Sequence, residues 1–281
     1  MENVVQTNPL MEKIKLPGRT FQLPSRGALY KHGEIAGVEG EIHVHPMSAL
    51  AEISLKNPDL LFNGKALNTV FKECIPDIKN PTELYGRDID AIMYFLRLVT
   101  YGPDFEIRVR HDCVESKTLK DNGEYVKDKD GNEVHKEHSY VVNIEELVQK
   151  IKFLDATVIE ESFQTTLPNG QVVKVRPVKF EHMIKLFQMN TGKDVFTDDD
   201  IKKNVVFNLV NLIESVDEIT DKKMIEQWVS KITTPYQNRI AEAIDKTNDW
   251  GPDQVVKLKC KDCGGEMPVD LPLNPISFFT E

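Results

Sequence analysis

The chain has 281 residues, of which 40% are hydrophobic and 28% charged, and a formal net charge of −10. That is the balance of a globular chain, sized for one large domain or two small ones, and it excludes a disordered one. An acidic surface disfavours general binding to nucleic-acid phosphates, and no apolar run approaches the ~18 residues of a membrane span.

Met1 to Thr20 is polar, lacks a signal-peptide core and reads as a flexible lead, so the chain is expected to stay where it is made. Leu23-Pro24-Ser25-Arg26-Gly27-Ala28-Leu29-Tyr30 follows. Pro24 fixes its own φ and pushes Leu23 towards extended backbone, and Gly27 permits a positive φ, which predicts an extended arm with a turn. Gly40 to His45 reads as extended and stops at Pro46. A helix is predicted over Met47–Leu55 from the spacing of Met47, Leu50, Ala51, Leu55 and, less ideally, Ile53, with Asn57-Pro58 ending it. A second should span Lys65 to Cys74. A third runs from about Arg87 to Thr100, with Ile89, Ile92, Met93, Leu96, Val99 and Thr100 on one broad face and Gly102-Pro103 beyond. A strand over Phe105–Val109 then enters His111-Asp112-Cys113.

Residues 114–138 look like an insert, with 12 of 25 residues charged, and predict a solvated hairpin turning at Asp130-Gly131. An EF-hand register on Gly131 would put Val126 at the first ligand position, where no side-chain oxygen is available, so the hairpin is preferred. Tyr140 to Ile144 closes this half as an extended segment.

In the second half, Phe163–Leu167 and Val172–Arg176 flank Asn169-Gly170 and predict a tight hairpin. A helix is expected over Lys179–Asn190, with Phe180, Met183, Ile184 and Phe187 on one side and Gly192 closing it. Thr197 with Asp200 forms a capping box that starts a helix reaching Ser215, and acids in its first turn suit the helix dipole, so Asp198-Asp199-Asp200 needs no metal. Further helices are predicted over Asp221–Lys231 and from Thr234-Pro235 to about Asn248. A strand over Val255–Leu258 leads into Cys260-Lys261-Asp262-Cys263, and Met267–Leu271 closes the half.

The halves repeat one order. Each has an extended segment ending in Val-x-Pro (Val44-His45-Pro46, Val175-Arg176-Pro177), a helical block ending in Gly-Pro, a strand into an Asp-Cys turn, and a closing extended segment. An ordered series of matches points to duplication. The expected fold is α+β, with two related modules over 21–155 and 156–281. Each is a small β-hairpin element plus a helical block ending in a strand–knuckle–strand element.

Cys260 and Cys263, followed by Gly264-Gly265, have the spacing of half a tetrahedral zinc site, with glycines that let amides face the sulfurs. The duplication points to the first module's turn for the other half. There Arg110 stands opposite Cys260 and Cys113 opposite Cys263, and His111 can complete a Cys3His set, with His135 and His138 as further candidates for the fourth ligand. The competing reading is two stacked turns without metal. A thioredoxin-like role is opposed by Gly264-Gly265 and Pro268, which disfavour a following helix. Cys74 reads as a buried thiol, His43 and His45 as a surface or partner contact, and Glu145-Glu146 and Glu160-Glu161 as solvated faces. There is no nucleophile elbow, P-loop or dinucleotide fingerprint, so no enzyme is expected.

Leu23-Pro24-Ser25-Arg26-Gly27-Ala28-Leu29-Tyr30 is similar to the opening arm of the T-even-type (contractile-tailed) bacteriophage baseplate hub family. His45-Pro46-Met47-Ser48-Ala49, Phe62-Asn63-Gly64-Lys65-Ala66-Leu67 and Arg97-Leu98-Val99-Thr100-Tyr101-Gly102-Pro103 resemble its next blocks, and Cys260 to Cys263 through Leu271-Pro272-Leu273 and Phe278-Phe279 its closing knuckle and aromatic end. The chain departs from the family at Arg110, where relatives often carry a cysteine, and in the long insert. The resemblance implies a structural or assembly component of the central hub of a contractile tail. Its partners would be other hub, spike or tape-measure proteins, met in the host cytoplasm during assembly or in the virion. An extended arm (Leu23, Pro24, Ser25, Gly27, Tyr30) and an apolar end (Phe278, Phe279) suit partner binding, or else fold back on their own domain. The alternative function is a zinc-ribbon adaptor for a nucleic-acid-processing complex, which the acidity opposes. A cytoplasmic thiol-redox enzyme is a further one.

Overall fold

A computed structural model of the chain describes residues 17–31, 38–55, 64–119, 124–159, 163–191, 195–271, 273, 278 and 279. Most of the expected lead, the Asn57-Pro58 and Gly192 helix stops, Phe62-Asn63 and Glu160-Glu161 lie outside these residues. The fold is α+β, with helices and small antiparallel sheets.

Strand β1 (Arg19–Gln22) pairs antiparallel with β2 (Glu41–Val44), with Phe21 opposite Ile42. Between them the arm coils through successive turns, and Gly27 and Gly40 approach back to back at φ 75° and 77°. A Cβ on Gly40 would sit 2.6 Å from the Gly27 nitrogen, so glycine is required there sterically as well as conformationally. Helix α1 (Ala49–Leu55) starts on the Ser48 hydroxyl, which accepts the Ala51 N–H at 3.1 Å. Its buried stripe is Ala51 and Leu55, four apart, in line with the buried Met47 before it. Leu50, expected on the apolar face, is 76% exposed and Ile53 is 62% exposed.

Helix α2 (Lys65–Cys74) buries Val70, Phe71 and Cys74. Helix α3 (Gly86–Tyr101) is buried along nearly its whole length and forms the spine of the larger core. Gly102, at φ 86°, ends it by donating to the Leu98 carbonyl at 3.1 Å. Strands β3 (Asp104–Arg110) and β4 (Glu137–Asn143) make a seven-residue antiparallel ribbon. The described part of the insert between them is three short segments bridged to one another, Lys117 with His135, Leu119 with Tyr125 and Lys127 with Glu133, and the last two are joined by a turn at Asp128–Asn132 with Gly131 at φ 88°. The Asp128 carboxylate accepts the Asp130 and Asn132 amides, each at 2.9 Å, as a self-capped turn does. Asn143 then caps α4 (Ile144–Gln149).

Strands β5 (Gln164–Thr166) and β6 (Val172–Val175) form the expected hairpin across Gly170, at φ 88°. Helices α5 (Phe180–Asn190) and α6 (Asp198–Leu212) follow, the second opening on the Thr197–Asp200 capping box. The expectation that this helix reaches Ser215 is corrected. It stops at Leu212, and Ile213–Val216 becomes β7, a third strand against β6 that buries Ile213, Ser215 and Val216. Lys222 donates to the released carbonyls of Val210 and Ile213. Helices α7 (Lys222–Val229) and α8 (Thr234–Lys246) and the ribbon β8 (Val255–Lys259) with β9 (Glu266–Asp270) complete the chain.

Packing follows a different line from sequence order. One buried cluster lies wholly between Leu167 and Ala243. The larger one joins the first half to Phe180, Leu271, Phe278 and Phe279. Tyr85, Leu154, Phe163 and Trp250 form a third at the junction. Cys74 is buried in the larger cluster, where burial pushes its thiol up to about 12, well out of the reactive range.

Candidate metal centre

The chain ends of β3 and β8 meet. His111 and Cys113 follow β3, and Cys260 and Cys263 follow β8. Their ligand atoms all lie within 4.8 Å of one another, the single such group of three or more His, Cys, Asp or Glu donors among the described residues. Cys113 Sγ is 3.9 Å from Cys260 Sγ, and Cys263 Sγ is 3.5 Å from His111 Nδ1. A tetrahedral zinc with Zn–S of ~2.3 Å and Zn–N of ~2.0 Å requires S···S edges of ~3.8 Å and S···N edges of ~3.5 Å. The Cys113–Cys260 and Cys263–His111 distances match those edges, and the four side chains are close enough together that they could hold such an ion. The donor set, three thiols and an imidazole, is one that favours it over hard cations.

Local backbone explains the second turn. Gly264 N–H donates to the Cys260 carbonyl and Cys260 N–H to the Gly265 carbonyl, both at 2.9 Å, with Gly264 at φ 72°. Gly265 N–H points at Cys263 Sγ at 3.4 Å. The Cys263 amide, then that of Asp262, lowers the Cys260 thiol to about 6. These amides face the sulfurs as the two glycines led the sequence to suggest. A strand, β9, follows the turn rather than a helix.

The first turn is held by Ser116, fully buried and missed in the sequence. Its hydroxyl contacts the carbonyls of His111 and of Cys113 (2.9 Å) and Nδ1 of His135 (2.7 Å). His135 and His138 are thus outside the cluster. His138 Nε2 instead meets Asp262 Oδ2 at 2.6 Å. Strand β4 braces the second turn further, since the Tyr140 hydroxyl accepts Lys261 N–H at 3.2 Å and Lys261 Nζ donates to the Ser139 carbonyl at 2.6 Å. A Ser three residues after a Cys in a turn was the available sequence signal.

Of the residues expected to bind partners, Leu23, Pro24, Ser25, Phe278 and Phe279 are buried within the chain and Gly27 and Tyr30 are half-buried. Leu23 and Ser25 are fully buried, and Ser25 N–H donates to Asp88 Oδ1 at 3.0 Å. The Tyr30 hydroxyl donates to Asp88 Oδ2 at 2.7 Å and accepts Tyr85 N–H at 3.0 Å. The Pro24 carbonyl accepts Leu154 N–H at 2.8 Å. The Ser-x-Gly-x-x-Tyr arm is therefore read by one buried carboxylate at the start of α3. Burial raises Asp88 to about 6 against those donors. Phe278 and Phe279 are 0% and 1% exposed, among Tyr94 and Phe105. Arg97 donates to the Phe278 carbonyl and the Tyr101 hydroxyl to that of Phe279 at 2.9 Å. Leu23, Ser25, Phe278 and Phe279 are thus packed within the chain. His43 and His45 stand edge to face at 4.7 Å, partly exposed, with Thr20 Oγ1 at 3.2 Å from His43 Nδ1. Among the described residues no helix is long and apolar enough to cross a membrane.

A family model described as "T4 bacteriophage base plate protein" matches residues 47–280. No curated protein matches the chain, and no solved structure does.

Proposed function

Since the chain belongs to the T4 bacteriophage base plate protein family, we propose that it is a structural or assembly component of the central hub of a contractile tail. It acts by protein–protein binding, and a structural zinc ion held by His111, Cys113, Cys260 and Cys263 joins its two halves. The observation that carries the metal reading is the convergence of four ligand atoms within 4.8 Å from turns about 150 residues apart in sequence. An ion there closes a long loop, so its binding free energy becomes folding free energy. The site is closed, with four protein ligands and no position for substrate, which is the structural rather than the catalytic type.

The family supports a place in the virion tail. The finer reading, that the partners are other hub, spike or tape-measure proteins met first in the host cytoplasm, rests on the resemblance of the arm and the closing knuckle. An acidic chain suits a basic protein partner and opposes a nucleic-acid adaptor role.

Co-expression with hub, spike and tape-measure proteins, followed by size exclusion with light scattering, tests the binding. Zinc is measured on the same fractions. A complex of fixed ratio carrying one zinc per copy is expected. A lone, zinc-free monomer in every mixture would remove both statements.

A further inference from the structure

We propose that Ser116 and His135 are a positioning pair for the metal centre, setting its affinity and fastening the two roots of the insert to it without touching the ion. The inference rests on the zinc reading above.

Ser116 is fully buried although it sits at the root of a solvated insert. Its hydroxyl lies within hydrogen-bond distance of the His111 carbonyl, the Cys113 carbonyl and His135 Nδ1. A hydroxyl has one proton, and carbonyls only accept. The proton is therefore directed at the two carbonyls, and the third contact runs the other way, His135 Nδ1–H donating to Ser116 Oγ. That assignment withdraws His135 Nδ1 from ligation. The two carbonyls belong to the two ligating residues of the first turn, so one buried hydroxyl fixes the peptide planes from which both His111 and Cys113 project. The same contact pulls in the far side of the insert. Lys136 N–H donates to the Ser116 carbonyl at 2.7 Å, and Lys117 bridges to His135. The insert is thus rooted at the metal centre by a serine on one side and a histidine on the other.

Groups that orient metal ligands from outside the coordination sphere typically change affinity by ~10–100-fold when removed. The test uses the full chain loaded with Zn2+ or Co2+ and competed against a chelator. Ser116→Ala is expected to weaken both ions by ~10–100-fold. At saturating Co2+ it should keep the wild-type thiolate charge-transfer intensity, because no ligand is lost. His135→Ala, at a partly exposed position, is expected to weaken them in the same direction, and it alone decides the matter if Ser116→Ala does not fold. Wild-type affinity in the folded variants would overturn the pair's role while leaving the zinc reading intact. A wild-type chain that binds neither ion would overturn the zinc reading itself, and this inference with it.

Discussion

Replacing Phe278 with Ala should destabilise the isolated, metal-loaded chain by about 4 kcal/mol. The ring is fully buried and meets Phe105, Phe279 and Tyr94 at centroid distances of 5.1, 5.4 and 5.6 Å, with the Arg97 guanidinium 5.6 Å from its centre. Transfer of a phenyl group from water accounts for roughly 1.5–3 kcal/mol. The space left is walled by other rings and by α3, which cannot collapse into it, and Phe→Ala changes in such settings cost about 3–5 kcal/mol. Edge-to-face contacts, each worth ~0.5–1.5 kcal/mol, and the cation–π contact with Arg97 place this site in the upper part of that range. For a chain of this size the melting temperature should fall by roughly 8–16 °C, at ~2–4 °C per kcal/mol. Urea unfolding of the wild type and the variant measures the difference directly. Leu50→Ala, on a side chain 76% exposed, serves as the control and should change stability by less than ~0.5 kcal/mol. A Phe278→Ala chain within ~1 kcal/mol of wild type that no longer joined hub complexes would refute the reasoning, because the ring would then serve a partner rather than the core.

Asp88 gives a pH test. Burial raises its folded pKa to about 6, above the ~3.9 of an unfolded Asp, so the folded state binds the proton more tightly. The contribution is stabilising below the unfolded value and is lost as pH rises through about 6. It is worth up to ~2–3 kcal/mol, and Asp88→Asn should remove that slope between pH 4 and 7 in urea titrations. Gly40→Ala should lower the unfolding free energy by more than ~2 kcal/mol in urea titrations, because a positive φ and a backbone clash act together, whereas Gly131→Ala, also at positive φ but with nothing within 4 Å of the added methyl, should cost only ~1 kcal/mol. Stripping the metal with a chelator should lower the thermal midpoint of the wild type. The same treatment of Cys260→Ser/Cys263→Ser should shift nothing, and equal shifts in both would count against a structural ion.

Where chemistry is local, the sequence alone sufficed. Asn169-Gly170 demands a tight turn, Thr197 with Asp200 satisfies two helix donors within four residues, and two cysteines three apart beside glycines present their sulfurs to one point. The pairing of Cys113 with that second turn came from the repeated order of the halves, which is again a property of the chain. His111 is the first choice for a fourth ligand because it stands two residues before Cys113, but in the sequence His135 and His138 stay open beside it. His111, His135 and His138 are all near in sequence, and only the antiparallel register of β3 and β4 and the buried Ser116 sort one to the cluster and two to its supports. Ile213–Val216 continues a helical pattern, yet β6 offers it a strand edge 38 or more residues away, and burial there outweighs local preference. For the arm and the Phe278-Phe279 end the sequence leaves partner binding and folding back open, because their apolar and turn residues have no neighbours nearby in the chain. Asp88 stands 58 residues from Tyr30 and Arg97 181 from Phe278, so tertiary structure alone could bring a carboxylate to the arm and a socket to the tail.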